Sequence, residues 1–432
     1  MMRAILASLV MLMIAACDGG TGAGRAAPTG NATSTSGSSL QRPAAAADRG
    51  VARAGDSVPA NHQAAATGDG AARSEAAKPV TADSTRLGML RNNLLPPGFD
   101  LVTAPRPFEF PRDHGPHPNF RHEWWYVTGH LDTPDGEPFG FELTFFRFAL
   151  KPLTPQTTTE LHSAWRARQI YMAHFAVSDI RRDHFAVSER FARDALGLAG
   201  AQADPFRVSL DDWSLAATTG SKAWRLVAAD KGYALDLEID PAAPLMLNGD
   251  AGFSRKSDGE GAASYYYSMP RMKARGKLIR DGKSSDVQGT VWLDREWGSG
   301  ALGSDQQGWD WFALQLDDGS ALMFYALRTR SGQRDPHSAG TWLAPNGTTL
   351  SLANDDVQID ATSEWMSPRG VRYPARWHLR VPRLNLDVDI QPRMANQELN
   401  TSTRYWEGAS SVTGTRDNRK IDGKAYVELV GY

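Results

Sequence analysis

The stretch of sequence that decides the fold consists of Glu123-Trp-Trp-Tyr-Val-Thr-Gly-His-Leu131, Pro134-Asp-Gly136 and Phe139-Gly-Phe-Glu-Leu-Thr-Phe-Phe-Arg-Phe148. Successive side chains of a β-strand point to opposite faces, and in the last run both faces carry large apolar residues. The proline, aspartate and glycine between the runs are typical of a tight turn. The stretch therefore predicts two antiparallel strands buried on both sides, as in a barrel wall with a filled interior and a packed partner outside.

The same period of two continues through most of the chain beyond this stretch. Short alternating runs are separated by turn sequences such as Asp281-Gly282, Asp317-Asp-Gly319 and Pro345-Asn-Gly347. Helical periodicity is scarce, and we expect a short helix only in Phe185–Leu198. Many short strands at regular spacing predict an all-β barrel or sandwich. Two such units are favoured over one, because single β domains rarely exceed ~250 residues.

The N-terminal end has the features of an export signal. A positive start is followed by an apolar run from Ala4 to Ile14, which is too short to span a bilayer, and by small residues. Ile14-Ala-Ala-Cys17 resembles the bacterial lipobox, in which the cysteine is lipidated. The alternative is an ordinary signal peptide with an incidental cysteine. Cys17 is the only cysteine of the chain, so neither an internal disulfide nor a cysteine nucleophile is expected.

The segment after Cys17, up to about residue 86, consists mainly of small and polar residues. Such a segment cannot bury enough apolar surface to offset its ordering entropy, so we expect a flexible tether. Asp18 resembles the inner-membrane retention signal of enterobacterial lipoproteins. The expected location is therefore the periplasmic face of the inner membrane, with the outer membrane as the alternative. The net charge of −2 gives no basic excess for a nucleic-acid partner.

The segment Phe110–Tyr126 has the highest density of reactive side chains. Arg121 and Glu123 would bring charge to an apolar cavity lined by Trp124 and Trp125. In the structural alternative the two charged residues form an ordinary ion pair and the tryptophans belong to the core. The three histidines of the segment match no standard ligand spacing, so no metal site is predicted.

A second cluster is Val291-Trp-Leu-Asp-Arg-Glu-Trp-Gly298, with Trp309 and Trp311 in the next run. Alternation places Asp294 and Glu296 on one face of the strand, opposite its arginine and second tryptophan. Two carboxyl groups in a dry pocket repel one another and lose solvation, which raises a pKa. A carboxylic acid kept protonated near neutral pH can act as a general acid. The structural alternative is an ion pair with a nearby arginine.

Tyr265-Tyr-Tyr-Ser268 is a third cluster, in which Tyr265 and Tyr267 point one way and Tyr266 the other. Phenols suit an apolar pocket with one polar anchor, and they equally suit an interface between barrels. No Gly-Xaa-Ser-Xaa-Gly elbow and no Walker or dinucleotide glycine motif is present, which argues against an α/β-type serine hydrolase and against nucleotide cofactors.

These segments, in this order, resemble the AttH/CrtC family, which includes carotenoid 1,2-hydratases and bacterial proteins called predicted secreted hydrolases. The resemblance covers nearly everything after about residue 95. The matching motifs are Phe110-Pro-Arg-Asp-His-Gly-Pro-His-Pro118, Glu123-Trp-Trp-Tyr-Val-Thr-Gly129, Ala173-His-Phe-Ala-Val-Ser-Asp179, Tyr265-Tyr-Tyr-Ser268, Trp292-Leu-Asp-Arg-Glu-Trp297, Gly308-Trp-Asp-Trp-Phe312, Tyr405-Trp-Glu-Gly408 and Gly423-Lys-Ala-Tyr-Val-Glu-Leu-Val-Gly-Tyr432.

The resemblance implies two lipocalin-like antiparallel β-barrel domains and an apolar, isoprenoid- or polyketide-like ligand. The expected organisation is a signal peptide at 1–16, a lipidated linker at 17–90, and barrels at 95–290 and 291–432. In hydratase members water adds to a double bond after protonation by an acidic group, with no cofactor. A His-Xaa-Trp arrangement belongs to that region, and here Arg295 replaces the histidine. Since arginine cannot donate a proton near neutral pH, Asp294 or Glu296 would have to supply it.

The leading hypothesis is a membrane-anchored, cofactor-independent hydratase or hydrolase acting on an apolar small molecule. Asp294, Glu296 and Tyr267 are the predicted catalytic group. The alternatives are a non-catalytic carrier of a lipid-like ligand and an accessory lipoprotein of ABC-type permease components. The predicted ligand contacts are Arg121, Glu123, Trp124, Trp125, Tyr265, Arg295, Trp297, Trp309 and Trp311.

Overall fold

The computed structural model describes residues 97–153, 167–298, 300 and 302–432. The predicted signal peptide, Cys17 and the tether lie outside these residues. Among the described residues, no helix has the length and apolar character needed to cross a membrane. This part of the chain is mainly β-strand, with single 3-10 turns at Arg112–His114, Ile180–Arg182, Asn354–Asp356 and Pro382–Leu384.

The first thirteen strands form one antiparallel sheet. They are β1 (His122–Asp132), β2 (Pro138–Ala149), β3 (Gln169–Asp179), β4 (His184–Arg193), β5 (Ala199–Ala203), β6 (Phe206–Leu210), β7 (Trp213–Ala217), β8 (Trp224–Asp230), β9 (Tyr233–Asp240), β10 (Met246–Leu247), β11 (Phe253–Arg255), β12 (Ala263–Arg280) and β13 (Lys283–Gly298). The strand order is β4-β3-β2-β1-β13-β12-β9-β8-β7-β6-β5, and β10 and β11 both pair with β12.

The remaining ten strands form a second antiparallel sheet. They are β14 (Gln306–Leu316), β15 (Ala321–Thr329), β16 (Ala339–Leu343), β17 (Thr349–Leu352), β18 (Gln358–Met366), β19 (Arg372–Val381), β20 (Leu386–Pro392), β21 (Glu398–Asn400), β22 (Arg404–Arg416) and β23 (Arg419–Val430). The order is β17-β16-β15-β14-β23-β22-β20-β19-β18, with β21 beside β22. One sheet curls into a nearly closed barrel and the other into a half-barrel, which confirms the predicted fold class.

The chain passes from the first sheet to the second after Gly298. Strand β13 pairs along its length with both β1 and β12, so residues 291–298 belong to the first sheet, although the sequence-based division assigned them to the second barrel. Tight turns set the register of these long strands. Asp281 and Gly282, which join β12 to β13, both have positive φ, at 52° and 77°, as a two-residue type I′ hairpin turn requires.

Burial on both faces follows from apolar packing between the two sheets as well as inside each of them. One cluster fills the interior of the first sheet and includes Trp125, Phe145 and Trp297. Another fills the interior of the second sheet. A third lies between the sheets and includes Tyr126 and Trp292 of the first sheet with aromatic residues of the second. The apolar residues on both faces of β1 and β2 are therefore explained as predicted, by a filled interior on one side and a packed partner on the other.

The expected short helix in Phe185–Leu198 is wrong. Residues 184–193 form β4, which pairs antiparallel with β3 from Ile170↔Arg193 to Asp179↔His184. This is an outer strand of the sheet, with partly exposed side chains on both faces, and this blurs its period of two. Pairing with β3 supplies the backbone hydrogen bonds that an isolated segment would obtain from a helix.

Candidate active site

Asp294 of β13 lies on the face of the first sheet that meets the second sheet. One of its carboxyl oxygens accepts hydrogen bonds from Ser268 Oγ and Trp292 Nε1, each at 2.6 Å. The other oxygen accepts a hydrogen bond from Tyr266 Oη. Burial raises the pKa of Asp294 to about 7 and nearby Glu296 adds to the rise, although the three hydrogen bonds oppose it.

Glu296 lies two residues further along the same face and has a cationic partner. Lys256 Nζ lies 3.1 Å from Glu296 Oε1, and both side chains are buried. Ser264 Oγ donates to the same oxygen. The Lys256 ammonium group also lies over the Tyr325 ring of the second sheet, 3.9 Å from its centroid. Glu296 is therefore neutralised by a cation, whereas the three groups that donate to Asp294 are all neutral.

Two reciprocal tyrosine–glutamate hydrogen bonds cross between the sheets. Tyr126 of the first sheet donates to Glu407 Oε1 of the second at 2.5 Å. Tyr405 of the second sheet donates to Glu142 Oε1 of the first at 3.0 Å. Both glutamates are fully buried, and within the described part of the chain the Oε2 atom of each has no hydrogen-bond partner. Each carboxyl group thus has one fixed oxygen and one free oxygen.

Crowding of carboxyl groups raises pKa values at this interface. Burial raises the pKa of Glu407 well above its usual range, and the charges of Glu142 and Glu428 raise it further. Glu428 is opposite Glu407 in the β22–β23 ladder, and burial together with the charge of Glu142 raises its pKa to about 8. Burial raises the pKa of Glu142 as well. Burial therefore raises the pKa values of all three glutamates at this interface.

The opposite face of β1 and β13 carries a carboxylate in a different setting. Glu123 is fully buried and pairs with Arg147 through one oxygen and Arg295 through the other. The backbone N–H of His117 donates to both oxygens at 3.1 Å. Burial alone would raise the pKa of Glu123, but the two guanidinium groups hold it well below its usual range.

The segment before β1 closes this charged cluster. His117 bridges Glu123 and Asp113 through its two ring nitrogens, at 3.3 and 3.1 Å. Its ring stacks on Trp297 with centroids 3.7 Å apart and an interplanar angle of 4°. Arg295 donates to the main-chain oxygens of Trp124 and Gly115. These contacts give the charged groups of the cluster hydrogen-bond and ion-pair partners at the barrel interior.

A family model described as AttH-like matches residues 101–432. The chain belongs to the AttH-like family. The crystal structure of an AttH protein from Nitrosomonas europaea shares 36% identity with it at a TM-score of 0.69, covering 77% of this chain and 99% of that one. Kievitone hydratase from Nectria haematococca has the same fold at 16% identity and a TM-score of 0.58, covering 78% of this chain and 97% of that one. No curated protein sequence matches the chain.

The predicted site residues of this AttH-like chain fall into two groups, on opposite faces of the first sheet. Asp294 and Glu296 lie at the interface between the sheets. Trp311 joins them because its Nε1 donates to Tyr266 Oη at 3.0 Å, and Trp124 and Trp309 pack at the border of the same cluster. The charged cluster on the other face holds Glu123, Trp125, Arg295 and Trp297, with Tyr265 and Tyr267 beside it.

In the structure, residues other than Tyr267 and Arg121 contact Asp294 and Glu123. Tyr267 Oη lies 2.7 Å from His114 Nδ1, on the opposite face of β12 from Tyr266, so the phenol that contacts Asp294 is Tyr266. The sequence suggested Arg121 as the ion-pair partner of Glu123, and the structure places Arg147 and Arg295 against its two oxygens. Arg121 is partly buried, and burial lowers its pKa.

Sequence reasoning missed Glu142, Glu407 and Glu428 as site residues. Each directly follows a buried apolar residue of its strand, namely Phe141, Trp406 or Val427, and this signal could have found them. His174 and Tyr405, which lie in two of the family motifs, were also not singled out. Within the described residues, no group of three or more His, Cys, Asp or Glu side chains could hold a metal ion.

Proposed function

We propose that this AttH-like chain is a cofactor-independent acid–base enzyme that adds water to, or hydrolyses, an apolar small molecule between its two sheets. One observation carries the proposal: buried carboxyl groups with raised pKa values are concentrated at an interface lined by tyrosine and tryptophan. A carboxylic acid that remains protonated near neutral pH can deliver a proton to a substrate. Perturbed pKa values of this kind are concentrated at functional sites.

Glu407 is the acid that the geometry favours. Tyr126 fixes one oxygen of its carboxyl group, and the other oxygen is buried without a partner among the described residues. The raised pKa favours the protonated form of this group, and the free oxygen is the one from which a proton can pass to a substrate. Asp294 differs because three donors occupy both of its oxygens, which suits it to hold negative charge.

In the hydration reaction the proton balance closes within the carboxyl cluster. The acid transfers its proton to one carbon of a double bond, and the other carbon becomes cationic. The faces of Trp311 and Tyr126, which meet edge to face at 5.1 Å between centroids, stabilise such a cation. Water adds to the cation and returns one proton to the carboxylate, so the acid is regenerated. In hydrolysis the same acid protonates the leaving group.

An apolar substrate suits the border of the interface. Trp124, Phe146 and Trp309 are partly exposed there, next to the buried cluster. Aromatic side chains with one wet edge are typical of sites where apolar ligands enter. Kievitone hydratase, a protein of the same fold, is by its name an enzyme of water addition, and this agrees with the proposal.

The proposal includes attachment to a membrane through lipid on Cys17. The signal sequence and lipobox-like segment support it, and a tethered body at the periplasmic face of the inner membrane would have access to poorly soluble substrates. Changing Cys17→Ala is expected to move the protein from the membrane to the soluble fraction without changing the unfolding midpoint of the body. Membrane association that survives this change would contradict the anchor.

The test of the activity uses water labelled with oxygen-18. The full-length protein is incubated with an extract of bacterial membrane lipids and isoprenoids in labelled water, and products are identified by mass spectrometry. A hydratase gives a new labelled hydroxyl group on an intact skeleton, whereas a hydrolase gives two fragments, one of them labelled. Glu407→Gln and Asp294→Asn are expected to abolish labelling. Glu398→Gln is the matched control, because this buried glutamate bonds Tyr373 within the second sheet.

The carrier hypothesis predicts a different result from the same experiment. A ligand that co-purifies with the protein but never takes up label would contradict the enzymatic proposal. Loss of label in Glu398→Gln as well as in Glu407→Gln would show a general effect of folding rather than chemistry between the sheets.

A further inference from the structure

We propose that Glu189, His174 and Tyr405 form a proton relay that connects solvent to the buried carboxyl group of Glu142. This inference deepens the proposed function and rests on it for its purpose. The relay would exchange protons between solvent and the acid cluster, and it would thereby set the protonation state of the cluster before the reaction begins. Its operation can be measured on the protein alone.

The four groups form an unbroken chain of hydrogen bonds. Glu189 Oε1 lies 3.0 Å from His174 Nε2. His174 Nδ1 lies 2.6 Å from Tyr405 Oη. Tyr405 Oη lies 3.0 Å from Glu142 Oε1. Each separation is within the range of a good hydrogen bond, so a proton can pass along the chain without movement of heavy atoms.

The hydrogen-bond chain has an outer end at Glu189 and an inner end at Glu142, because the exposed fraction of the side chains falls from the first to the last. The side chain of Glu189 is 17% exposed, and that of His174 is 1% exposed. Glu142 at the other end is fully buried. The main-chain N–H of Ser402 donates to both oxygens of Glu189 at 3.0 Å, which holds the outer carboxylate in place.

The same heavy-atom positions accommodate two arrangements of one proton. In the first, Glu142 is protonated and donates to Tyr405, Tyr405 donates to Nδ1 of neutral His174, and Nε2–H donates to the Glu189 carboxylate. In the second, the proton is on the histidine, and the direction of both inner hydrogen bonds is reversed. A hydroxyl both donates and accepts, and an imidazole exists as either tautomer or as a cation, so both arrangements satisfy the geometry. When solvent protonates Glu189 while Glu142 is ionised, Glu189 donates to Nε2 of the neutral His174 tautomer that carries its proton on Nδ1. Transfer of this proton to Nε2 gives the second arrangement, and the shift to the first arrangement then delivers a proton to Glu142 through Tyr405.

A purely structural network does not require this arrangement. The His174 ring faces the Phe146 and Tyr405 rings, with centroid distances of 5.4 and 5.6 Å, and its two nitrogens point toward opposite ends of the chain. The Oε2 atom of Glu142 has no partner among the described residues, and the charge of Glu142 raises the pKa values of Glu407 and Glu428 in the second sheet. The relay thus ends at a carboxyl group that is electrostatically coupled to the proposed acid Glu407.

The experiment is a pH jump on the full-length protein without substrate. The probe is the proton itself, followed by the infrared band of the protonated Glu142 carboxyl group, which Glu142→Gln identifies by its disappearance. Tyr405→Phe and, separately, His174→Gln are expected to slow protonation about 100-fold, at the low end of what a positioned proton-transfer group contributes. The band should still appear at equilibrium but titrate at higher pH, because His174 and the Tyr405 hydrogen bond both lower the pKa of Glu142, so rates are compared after jumps to a pH at which the carboxyl group is fully protonated.

Controls separate the relay from folding and from catalysis. Tyr373→Phe removes a buried phenol that donates to Glu398 and does not belong to the relay. This change is expected to leave the protonation rate of Glu142 unchanged. Added imidazole is expected to restore part of the rate in His174→Ala. Unchanged protonation rates in Tyr405→Phe, or no titrating Glu142 band in the wild type, would overturn the relay. Normal relay kinetics with no labelled product would instead contradict the proposed function alone.

Discussion

Buried carboxyl groups lie on both faces of the β1–β13 strand pair, and Glu123 on one face has two cationic partners, whereas Asp294 on the other face and the facing Glu407 of β22 accept hydrogen bonds from neutral groups. Toward the barrel interior, Glu123 lies between Arg147 and Arg295 and its pKa is well below the usual range. Toward the second sheet, burial raises the pKa of Asp294 to about 7 and that of Glu407 well above its usual value. Both environments are dry. Available cations, rather than burial, decide which carboxyl groups are ionised.

The two faces also differ in how many of the carboxyl oxygens have partners. The Glu123 cluster satisfies its charge with two guanidinium groups and backbone donors, so both carboxylate oxygens are occupied. At the interface, Glu142 and Glu407 each keep an oxygen without a partner in the described part of the chain. An unsatisfied buried polar group costs ~1–3 kcal/mol, and its presence is more readily explained at a functional site than in a structural core.

The largest expected effect comes from removing one of the two cationic partners of Glu123. Arg295→Met leaves one side of a buried ion pair uncompensated, and this should destabilise the protein by ~3–5 kcal/mol in denaturant unfolding. Arg275→Met, which breaks an exposed pair with Glu238, should cost only ~0–1 kcal/mol. Equal losses from the two changes would contradict the view that the interior cluster depends on its cations.

Unlike Arg295→Met, Glu407→Gln is expected to increase the free energy of unfolding at high pH. Because folding raises the pKa of Glu407, the wild type loses stability as pH rises from the ordinary glutamate range through the folded-state value. The variant should therefore match the wild type near pH 5 and exceed it near pH 9, by about 1–3 kcal/mol, the cost of an uncompensated buried polar group. Unfolding curves at the two pH values measure this. A stability difference that does not depend on pH would contradict the assignment.

The sequence predicted the fold from alternation alone and part of the site from the same rule. Alternation on β13 correctly separated Asp294 and Glu296 from Arg295 and Trp297. It could not identify Arg147 as the partner of Glu123, because that pairing depends on the β1–β2 register, in which the two residues are directly opposite.

The interface cluster was harder to predict. Tyr126 and Glu407, and likewise Tyr405 and Glu142, lie far apart in sequence and meet only when the two sheets stack. No local pattern encodes that stacking. The signal present in the sequence was a glutamate directly after an apolar residue of a strand, without any indication of the partner that it would contact.

A third prediction sharpens the interface side of the comparison. Infrared titration of the wild type should show carboxyl groups titrating near pH 7 and near pH 8, in keeping with the raised pKa values of Asp294 and Glu428. These apparent values belong to a coupled group of carboxyls. Asp294→Asn should remove the lower step and lower the upper one, because its charge raises the pKa of Glu428. An unchanged titration in the variant would contradict the coupling.

The smallest expected effect concerns the tyrosine that holds Glu407. Tyr126→Phe removes one buried hydrogen bond and should cost about 1 kcal/mol. Since the Tyr126 hydrogen bond lowers the pKa of Glu407, its loss should raise that pKa further and extend protonation to higher pH. A downward shift in the infrared titration of Glu407 would show that the tyrosine does not stabilise the carboxylate.

Neutron diffraction from crystals of the deuterated protein at pH 7 tests most directly whether the two faces hold carboxyl groups in opposite protonation states. We expect deuterium on the free oxygen of Glu407 and none on Glu123. A deprotonated Glu407, or a protonated Glu123 between its two arginines, would contradict the opposite treatment of the two faces.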